Sequence, residues 1–226
     1  MGEEVRMAET AAATASEKPA HFVLVHGIGG GAWCWYKIRS LMESSGYAVS
    51  CLDLTSAGVD PTDPNTVLTF DEYNKPLLDF LSTLPEDEQG VPDLSGFGDV
   101  HDLTFGLGPD KPPTSTTMKQ EFQRSIIYQM SPLEDSTLAA MLLKPGPVTA
   151  LMTAKFPEEE AEGVERVRRV YIKTAQDRVV KPEQQDSMIA RWPPGEVFTL
   201  DSDHSPFFSV PFLLFGLLVK VAASCG

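Results

Sequence analysis

Apolar residues in this chain occur either in short unbroken runs or at helical spacing, and the two arrangements alternate along the sequence. The unbroken run at 21–26 is followed by glycines and predicts a strand buried on both faces. A second run at 47–54 predicts another buried strand, and the segment 35–45 between them has the spacing of a helix that ends before Gly46. Two strands joined through one helix form a parallel pair with a right-handed crossover.

The same alternation returns in the last third of the chain. Four further elements are predicted there, namely strands at 168–174 and 196–200 and helices at 181–191 and 206–223. An earlier helix, capped by Thr69 or Asp71, is predicted to run to about residue 81. Strands and helices that alternate at both ends of a chain predict an α/β fold with a parallel sheet.

The middle of the chain departs from this alternation. Residues 90–114 hold five glycines and four prolines, which is too many for a central strand. We predict a loop there, with a short helix or turn near 100–107. The periodicity of 115–130 predicts a helix, and Ser131-Pro132 predicts the start of another that ends near residue 143.

The length of 226 residues suits one sizeable domain. We interpret 21–226 as a single α/β domain in which 90–156 forms a mainly helical, cap-like insertion. Residues 1–20 are acidic and rich in Ala, Thr and Ser, without an apolar core, and so predict a disordered leader rather than a signal peptide. On this basis we expect a cytoplasmic location.

Charge and cysteine content narrow the range of partners. A formal net charge of −14 argues against a nucleic acid or an anionic membrane surface and favours a small neutral ligand. No apolar run reaches the roughly 18 residues of a membrane span. The three cysteines, Cys34, Cys51 and Cys225, are widely spaced, so we predict neither a disulfide nor a metal site, and no cofactor. The oligomeric state is left open.

Two residues near the end of the chain suggest catalytic chemistry. Asp177 follows one predicted strand and His204 follows the next, and parallel strands all end at the same edge of a sheet. An acid followed later by a histidine is the chain order of the α/β-hydrolase triad, in which the carboxylate orients the imidazole that takes a proton from a serine. The alternative is that Asp177 caps a loop and His204 is a surface histidine.

The segment after the first predicted strand suggests an anion-stabilising loop. His26-Gly27-Ile28-Gly29 lies where backbone N–H groups can face a developing negative charge, and the Ile28 N–H is the candidate donor. The alternative is a tight turn without such a role. His26 is expected to support the loop through hydrogen bonds.

Other aromatic side chains and histidines are less informative. Five aromatic residues could line a pocket, although a place in the core is the favoured interpretation: Trp33, Trp35, Trp192, Phe207 and Phe208. His21 and His101 have no evident partner in the sequence and are expected in loops or at the surface.

A nucleophile is missing from the sequence. The elbow motif Gly-x-Ser-x-Gly, in which a sharp turn presents the serine, does not occur. Ser95 is the nearest match but lacks the first glycine and the preceding strand. Cys34 and Cys51 do not lie in elbows either. We therefore assign no nucleophile.

Several motifs together carry a resemblance. They are 21–27 (HFVLVHG), 31–37 (GAWCWYK), 131–135 (SPLED), 169–174 (RVYIKT) and 201–208 (DSDHSPFF). The chain resembles the plant methylesterases of the α/β-hydrolase superfamily, above all esterases that act on methyl indole-3-acetate. The resemblance implies that Asp177 is the triad acid, His204 the triad base and the Ile28 N–H one oxyanion donor.

The resemblance also implies an internal deletion at Gln89-Gly90. Members of the family carry a strand with the elbow serine there, then its helix and another strand. The expected fold is thus an α/β-hydrolase-like parallel sheet with a helical cap, truncated in the middle. The two remaining strand pairs either close into one four-stranded sheet or leave a gap of roughly 10 Å between them, at about 4.8 Å per strand. We expect closure, with marginal stability, because an open gap exposes unpaired backbone.

The implied function is that of a carboxylic-ester hydrolase that is inactive or strongly impaired. Two alternatives remain open at this point: a non-catalytic binder of small apolar esters or acids, and an unstable splice or gene-model product.

Overall fold

A computed structural model describes residues 20–83, 101–154 and 167–224 of the chain. The predicted leader, Ser95 and Cys225 lie outside these ranges, apart from Ala20 at the end of the leader. The first half begins with strand β1 (His21–Val25), helix α1 (Tyr36–Ser44) and strand β2 (Ala48–Leu52). β1 and β2 pair in parallel, with His21 opposite Ala48, as the sequence predicts.

Helix α2 (Phe70–Leu81) follows a long loop. Its N-cap is Thr69 rather than Asp71, because the Thr69 hydroxyl accepts from the Glu72 N–H while the Glu72 carboxylate accepts from the Thr69 N–H. This reciprocal pair satisfies two backbone donors that the first turn of a helix leaves open.

The cap region differs from the prediction. Strands β3 (His101–Thr104) and β4 (Ser115–Met118) form an antiparallel pair where we predict a loop or turn followed by the start of a helix. Ser115-Thr-Thr-Met118 is rich in Thr, which favours strands once a partner strand is available. Three helices follow, α3 (Gln120–Ile126), α4 (Leu133–Leu142) and α5 (Val148–Met152).

The last part of the chain holds β5 (Val170–Thr174), α6 (Pro182–Arg191) and β6 (Glu196–Leu200), and the two strands pair in parallel. The predicted helix at 206–223 is wrong in one respect, since it is divided into α7 (Pro206–Ser209) and α8 (Pro211–Ala223). Pro211 has no N–H to continue the first helix, so a new helix starts there.

The two parallel pairs do not join. In the described part of the chain β1 pairs with β2 and β5 with β6, in separate two-stranded sheets, so the expected closure into a four-stranded sheet is wrong. A shared core explains their separation. Leu24 of β1 and Leu200 of β6 both pack with Ile38 and Met42 of α1 and Leu214 of α8. These helices therefore pack against both pairs through one core.

A second core lies under α2. Tyr73, Leu77 and Leu81 of that helix are buried against Leu54 and Ala150, with Val23 of β1 at the margin. A third cluster, described below, joins α4 to the segment before α1. Of the helices that the structure describes, none is both long and apolar enough to cross a membrane.

Candidate functional site

The carboxyl ends of β5 and β6 bring Asp177 and His204 together. β5 ends at Thr174 and β6 at Leu200, and the two loops are held side by side because the Gln176 N–H donates to the Ser202 carbonyl (2.9 Å). His204 Nδ1 lies 3.0 Å from Asp177 Oδ2. The Asp177 side chain is buried, whereas 37% of the His204 side chain is exposed. The pair is therefore anchored at the acid and open at the imidazole.

The Asp177 carboxylate is fully used as an acceptor. Oδ1 accepts from the N–H groups of Val179 (2.8 Å) and Val180 (2.9 Å), and Oδ2 also accepts from the Thr174 hydroxyl (3.0 Å). Burial is the largest single influence and opposes ionisation, but the hydrogen bond and charge of His204, together with the two backbone donors, outweigh it and lower the pKa of Asp177. The carboxylate is therefore held ionised in a fixed position.

Gln185 of α6 holds the loop that carries Asp177 through hydrogen bonds to Thr174 and Val180 on either side of it. Its side chain is buried; its amide donates to the carbonyls of Thr174 (2.9 Å) and Val180 (2.8 Å), and its oxygen accepts from the Thr174 N–H (2.9 Å). The sequence gives one usable signal for this role, a glutamine one turn into the helix that follows the Asp177 loop.

Asp203, next to His204, performs the corresponding task for the other loop. It is fully buried and accepts from Met130 N–H (2.9 Å), from the N–H (2.8 Å) and hydroxyl (2.9 Å) of Ser131, and from Ser205 N–H (3.0 Å). This fixes the His204 loop against the cap. Nothing in the sequence pattern separates Asp203 from its exposed neighbour Asp201.

The free side of the imidazole determines what the pair can do. With Nδ1–H donating to the carboxylate, Nε2 carries the lone pair and can accept a proton. No described residue forms a hydrogen bond with His204 Nε2.

Neither described cysteine is an activated nucleophile. Cys34 is buried, and burial raises the pKa of its thiol to about 12, so it is not a thiolate. Cys51 is half-buried, and burial raises its pKa as well.

His26 supports the loop after β1. Its Nδ1 lies 2.8 Å from the Gly27 carbonyl, and its Nε2 accepts from the Leu54 N–H (3.0 Å). One nitrogen must then donate and the other accept, which defines a neutral ring. Burial is the main cause that lowers the pKa of His26 and keeps it neutral. The ring thus connects the ends of β1 and β2.

The glycine loop itself is tight. The Gly30 N–H donates to the Gly27 carbonyl (3.1 Å), and the Gly29 carbonyl accepts from the Lys144 N–H of the cap (3.0 Å). Ile28 packs on Gly146, where an added Cβ would lie 2.1 Å from Ile28 Cγ1. Within the described ranges the Ile28 N–H has no acceptor, and no hydrogen bond joins this loop to His204.

Aromatic packing provides the connection between the loop and the His204 segment. Trp33 stacks on Phe208 with ring centroids 6.3 Å apart, and Trp35 contacts Phe207 at 5.0 Å. Phe208 is buried in a cluster with Cys34, Tyr128 and Ala139. These residues therefore form a core.

Three further residues lie away from this centre. Trp192 is 42% exposed and stacks instead with the Arg169 guanidinium at 3.7 Å. His21 and His101 lie on β1 and β3, not in loops, and His21 Nε2 is 3.0 Å from Ser50 Oγ.

A cleft of about 410 Å³ opens beside the cap, lined by Asp60, Asn65, Ser115 and Lys144 among others. It contains neither residue of the Asp177–His204 pair. In the part of the chain that the structure describes, no cluster of His, Cys, Asp and Glu is arranged to hold a metal ion.

The fold and this site define the class of the protein. Parallel strand pairs flanked by helices, a cap, and an acid–histidine pair at the carboxyl edge are the components of an α/β-hydrolase, here with a truncated sheet. Solved structures agree. The methylesterase MES16 from Arabidopsis matches with a TM-score of 0.82 and 38% identity over 90% of this chain and 98% of that one.

Sequence comparison defines the family. Methylesterase 17 of Arabidopsis thaliana is 48% identical over 272 residues, covering 99% of each chain. Pheophorbidase of Raphanus sativus is 39% identical and covers 92% of this chain and 96% of its own. The chain belongs to the plant methylesterase family. No protein-family model matches it.

Proposed function

We propose that this chain retains the acid–base half of a methylesterase site for small apolar methyl esters, and that its hydrolytic activity is strongly impaired because the nucleophile is missing. The observation that carries this proposal is the Asp177–His204 pair, with Nδ1 bonded to the carboxylate and Nε2 without a partner among the described residues.

The chemistry assigns each remaining group a role. In a complete site a serine hydroxyl attacks the ester carbonyl, His204 Nε2 takes its proton and Asp177 stabilises the resulting imidazolium. The Ile28 N–H would face the oxyanion, with His26 and Gly27 shaping that loop. Without the serine these groups can only act on water, and losses near a million-fold are typical when a triad is broken.

The lengths of the aligned chains support a deletion. The match with Methylesterase 17 extends over 272 residues, whereas this chain has 226, so at least 46 aligned positions have no residue here. Because the match includes 99% of each chain, the missing positions are internal rather than terminal. We assign them to Gln89-Gly90, where the resemblance implies the family's elbow serine.

The relatives support a small apolar ligand. They include a pheophorbidase and a pFDCC methylesterase. One solved relative, tomato methylketone synthase I at 28% identity and a TM-score of 0.80, is complexed with 2-tridecanone. We propose methyl indole-3-acetate as the substrate of this branch, because a neutral ester needs no long-range attraction from a chain with a formal net charge of −14. We also propose a cytoplasmic location.

The test is hydrolysis by the purified chain. Methyl indole-3-acetate and p-nitrophenyl acetate are the substrates, and His204→Ala is the matched variant. We expect both proteins to release product at the same background rate. Turnover well above this background that His204→Ala abolishes would refute the impairment.

A second candidate is a non-catalytic binder. Two complexes of tomato methylketone synthase I, with 2-tridecanone and with β-ketoheptanoate, support it, because they record small ligands bound in a protein of similar fold. Its signature is a rise in melting temperature on addition of indole-3-acetate or its methyl ester without any turnover. An unchanged melting temperature at millimolar ligand excludes this candidate.

A further inference from the structure

The cleft beside the cap is formed by segments that are far apart in the sequence. Its lining comes from the loop after β2, from the β3–β4 pair and from the segment after α4: Ser56, residues 60–65, Thr104, Ser115, Lys144 and Pro145. Its volume of about 410 Å³ lies in the range of small-molecule sites. It contains neither Asp177 nor His204, so binding in this cleft is independent of the proposed function.

Hydrogen bonds fix the wall that the loop after β2 contributes. Asp63 Oδ1 accepts from the backbone N–H and from the side-chain amide of Asn65, both at 2.9 Å. Asn65 Oδ1 in turn accepts from the hydroxyls of Thr114 (2.6 Å) and Ser115 (3.0 Å), which are both buried. The wall is therefore attached to the start of β4 before any ligand arrives, and this preorganisation lowers the entropic cost of binding.

Asp60 and Lys144 bring a carboxylate and an ammonium group to the same cleft. Asp60 Oδ1 accepts from the N–H groups of Ser56 and Thr62, both at 2.9 Å, and the Lys144 ammonium donates to the Asp60 carbonyl (2.9 Å). Burial is the largest single influence and opposes ionisation, but these donors and the charge of Lys144 outweigh it and lower the pKa of Asp60. Among the described residues Asp60 Oδ2 has no hydrogen-bond partner, and Lys144 Nζ has only this carbonyl.

Ser56 is the unusual residue of the lining. Its φ is +67°, in the left-handed region that residues with a side chain seldom adopt. It is 2% exposed, and its buried Oγ has no hydrogen-bond partner in the part of the chain that the structure describes. A strained backbone and an unpaired buried hydroxyl both cost free energy, and such features concentrate at sites where ligands bind. Glycine would adopt the same φ without strain, so the turn itself does not require a serine.

We propose that this cleft binds a neutral polyol, a sugar or sugar alcohol. A hydroxyl group both donates and accepts, so neighbouring hydroxyls of a polyol satisfy Asp60 Oδ2 and Lys144 together, with Ser56 Oγ as a third polar partner. An anionic ligand would be repelled by the charges of Asp60 and Asp63, and a cationic one by Lys144. Three prolines of the lining add apolar surface on which the C–H groups of a polyol pack.

Titration of the purified chain, followed by saturation-transfer difference NMR, tests the proposal. The neutral probes are D-glucose and sorbitol. Gluconate and N-methylglucamine are the controls, because they carry one negative and one positive charge on the same six-carbon chain as sorbitol. We expect dissociation constants in the millimolar range for the neutral probes. The two charged probes should bind about fivefold more weakly or less.

A matched pair of lysine variants locates the contact. Lys144→Met removes the ammonium at similar side-chain length and should weaken sorbitol binding about tenfold or more. Lys111 is exposed and does not line the cleft, so Lys111→Met should keep the affinity within about twofold. Asp60→Asn is the second variant. It keeps an oxygen for the N–H groups of Ser56 and Thr62 but loses the carboxylate, and should weaken binding about tenfold.

Ser56→Gly separates a binding role from a structural one. Glycine suits a φ of +67°, and the change removes a hydroxyl without a partner among the described residues, so the melting temperature should not fall. The affinity for sorbitol should nevertheless drop about fivefold. A variant that melts at a lower temperature and binds sorbitol as before would show that Ser56 serves the fold rather than a ligand.

Three further outcomes overturn the proposal: neither D-glucose nor sorbitol binds in the millimolar range, gluconate or N-methylglucamine binds as well as sorbitol, or Lys144→Met and Asp60→Asn both retain the parent affinity. None of these measurements uses ester hydrolysis. Failure of the proposed function and failure of the polyol site are therefore observed separately.

Discussion

The carboxylate of Asp203 accepts both the N–H (2.8 Å) and the hydroxyl (2.9 Å) of Ser131, a residue 72 positions earlier in the chain. Both residues are buried. The contact attaches the start of α4 in the cap to the loop that carries His204. A buried carboxyl group is stable there only because several donors satisfy its oxygens.

Replacement of Asp203 by Ala should therefore be severe. Four donors would lose their acceptor inside the protein, and we expect a loss of at least about 3 kcal/mol in the free energy of unfolding. Urea unfolding followed by circular dichroism measures it. Asp201→Ala is the matched control, because Asp201 is exposed and accepts only from Gln176 Nε2 among the described side chains. Equal losses for both variants would contradict this view of Asp203.

The pH dependence of stability should reveal Asp177. Its pKa is lowered in the folded protein, so its ionised form favours folding at pH values above the ordinary carboxyl pKa of about 4. That contribution is lost as the pH falls through the lowered pKa. The stability difference between the parent chain and Asp177→Asn should thus shrink below about pH 4. Urea unfolding of both proteins at a series of pH values measures this difference, and a difference that stays constant across the acidic range would contradict the expectation.

Gly146 tests the packing of the glycine loop. A methyl group there would overlap the Ile28 side chain, so Gly146→Ala should displace the loop and cost about 1–3 kcal/mol. Gly216→Ala in α8 is the control, since nothing lies within 4 Å of its added Cβ. A helical glycine replaced by alanine should instead gain about 0.5–1 kcal/mol. Melting temperatures that move in opposite directions confirm the expectation.

Cys34 tests whether the chain folds at all. Its thiol is buried, and its pKa of about 12 leaves almost no thiolate at neutral pH. We expect iodoacetamide to modify Cys34 in the native protein at least a hundredfold more slowly than in 8 M urea. The Cys34→Ser variant identifies the signal by mass spectrometry. Equal rates in both conditions would favour the unstable-product alternative.

The sequence predicts the local elements well because each is specified by its own residues. Apolar runs define β1, β2, β5 and β6, and proline and Thr69 define where helices begin. The approach of Asp177 to His204 follows from the rule that parallel strands end together. The elements that the sequence does not predict are those that form only through contact with residues elsewhere in the chain. Ser115–Met118 becomes a strand only because His101–Thr104 lies beside it.

The same limit applies to the supports of the site. Gln185 and Asp203 have no local motif, since their partners are carbonyls and N–H groups supplied by other loops. The expected closure of the sheet is wrong for a related reason. Strand pairing alone favours closure. The core that α1 and α8 share with both strand pairs depends on contacts between residues far apart in the chain, which the sequence pattern does not show.

The packing of α1 against α8 has a consequence for folding kinetics. Ile38 and Leu214 share one core although they lie 176 positions apart in the chain. Contacts between such distant residues slow folding, because a long loop must close before they form. After dilution from denaturant, Leu24 of β1 should therefore stay accessible to solvent until this slow step brings α8 into place.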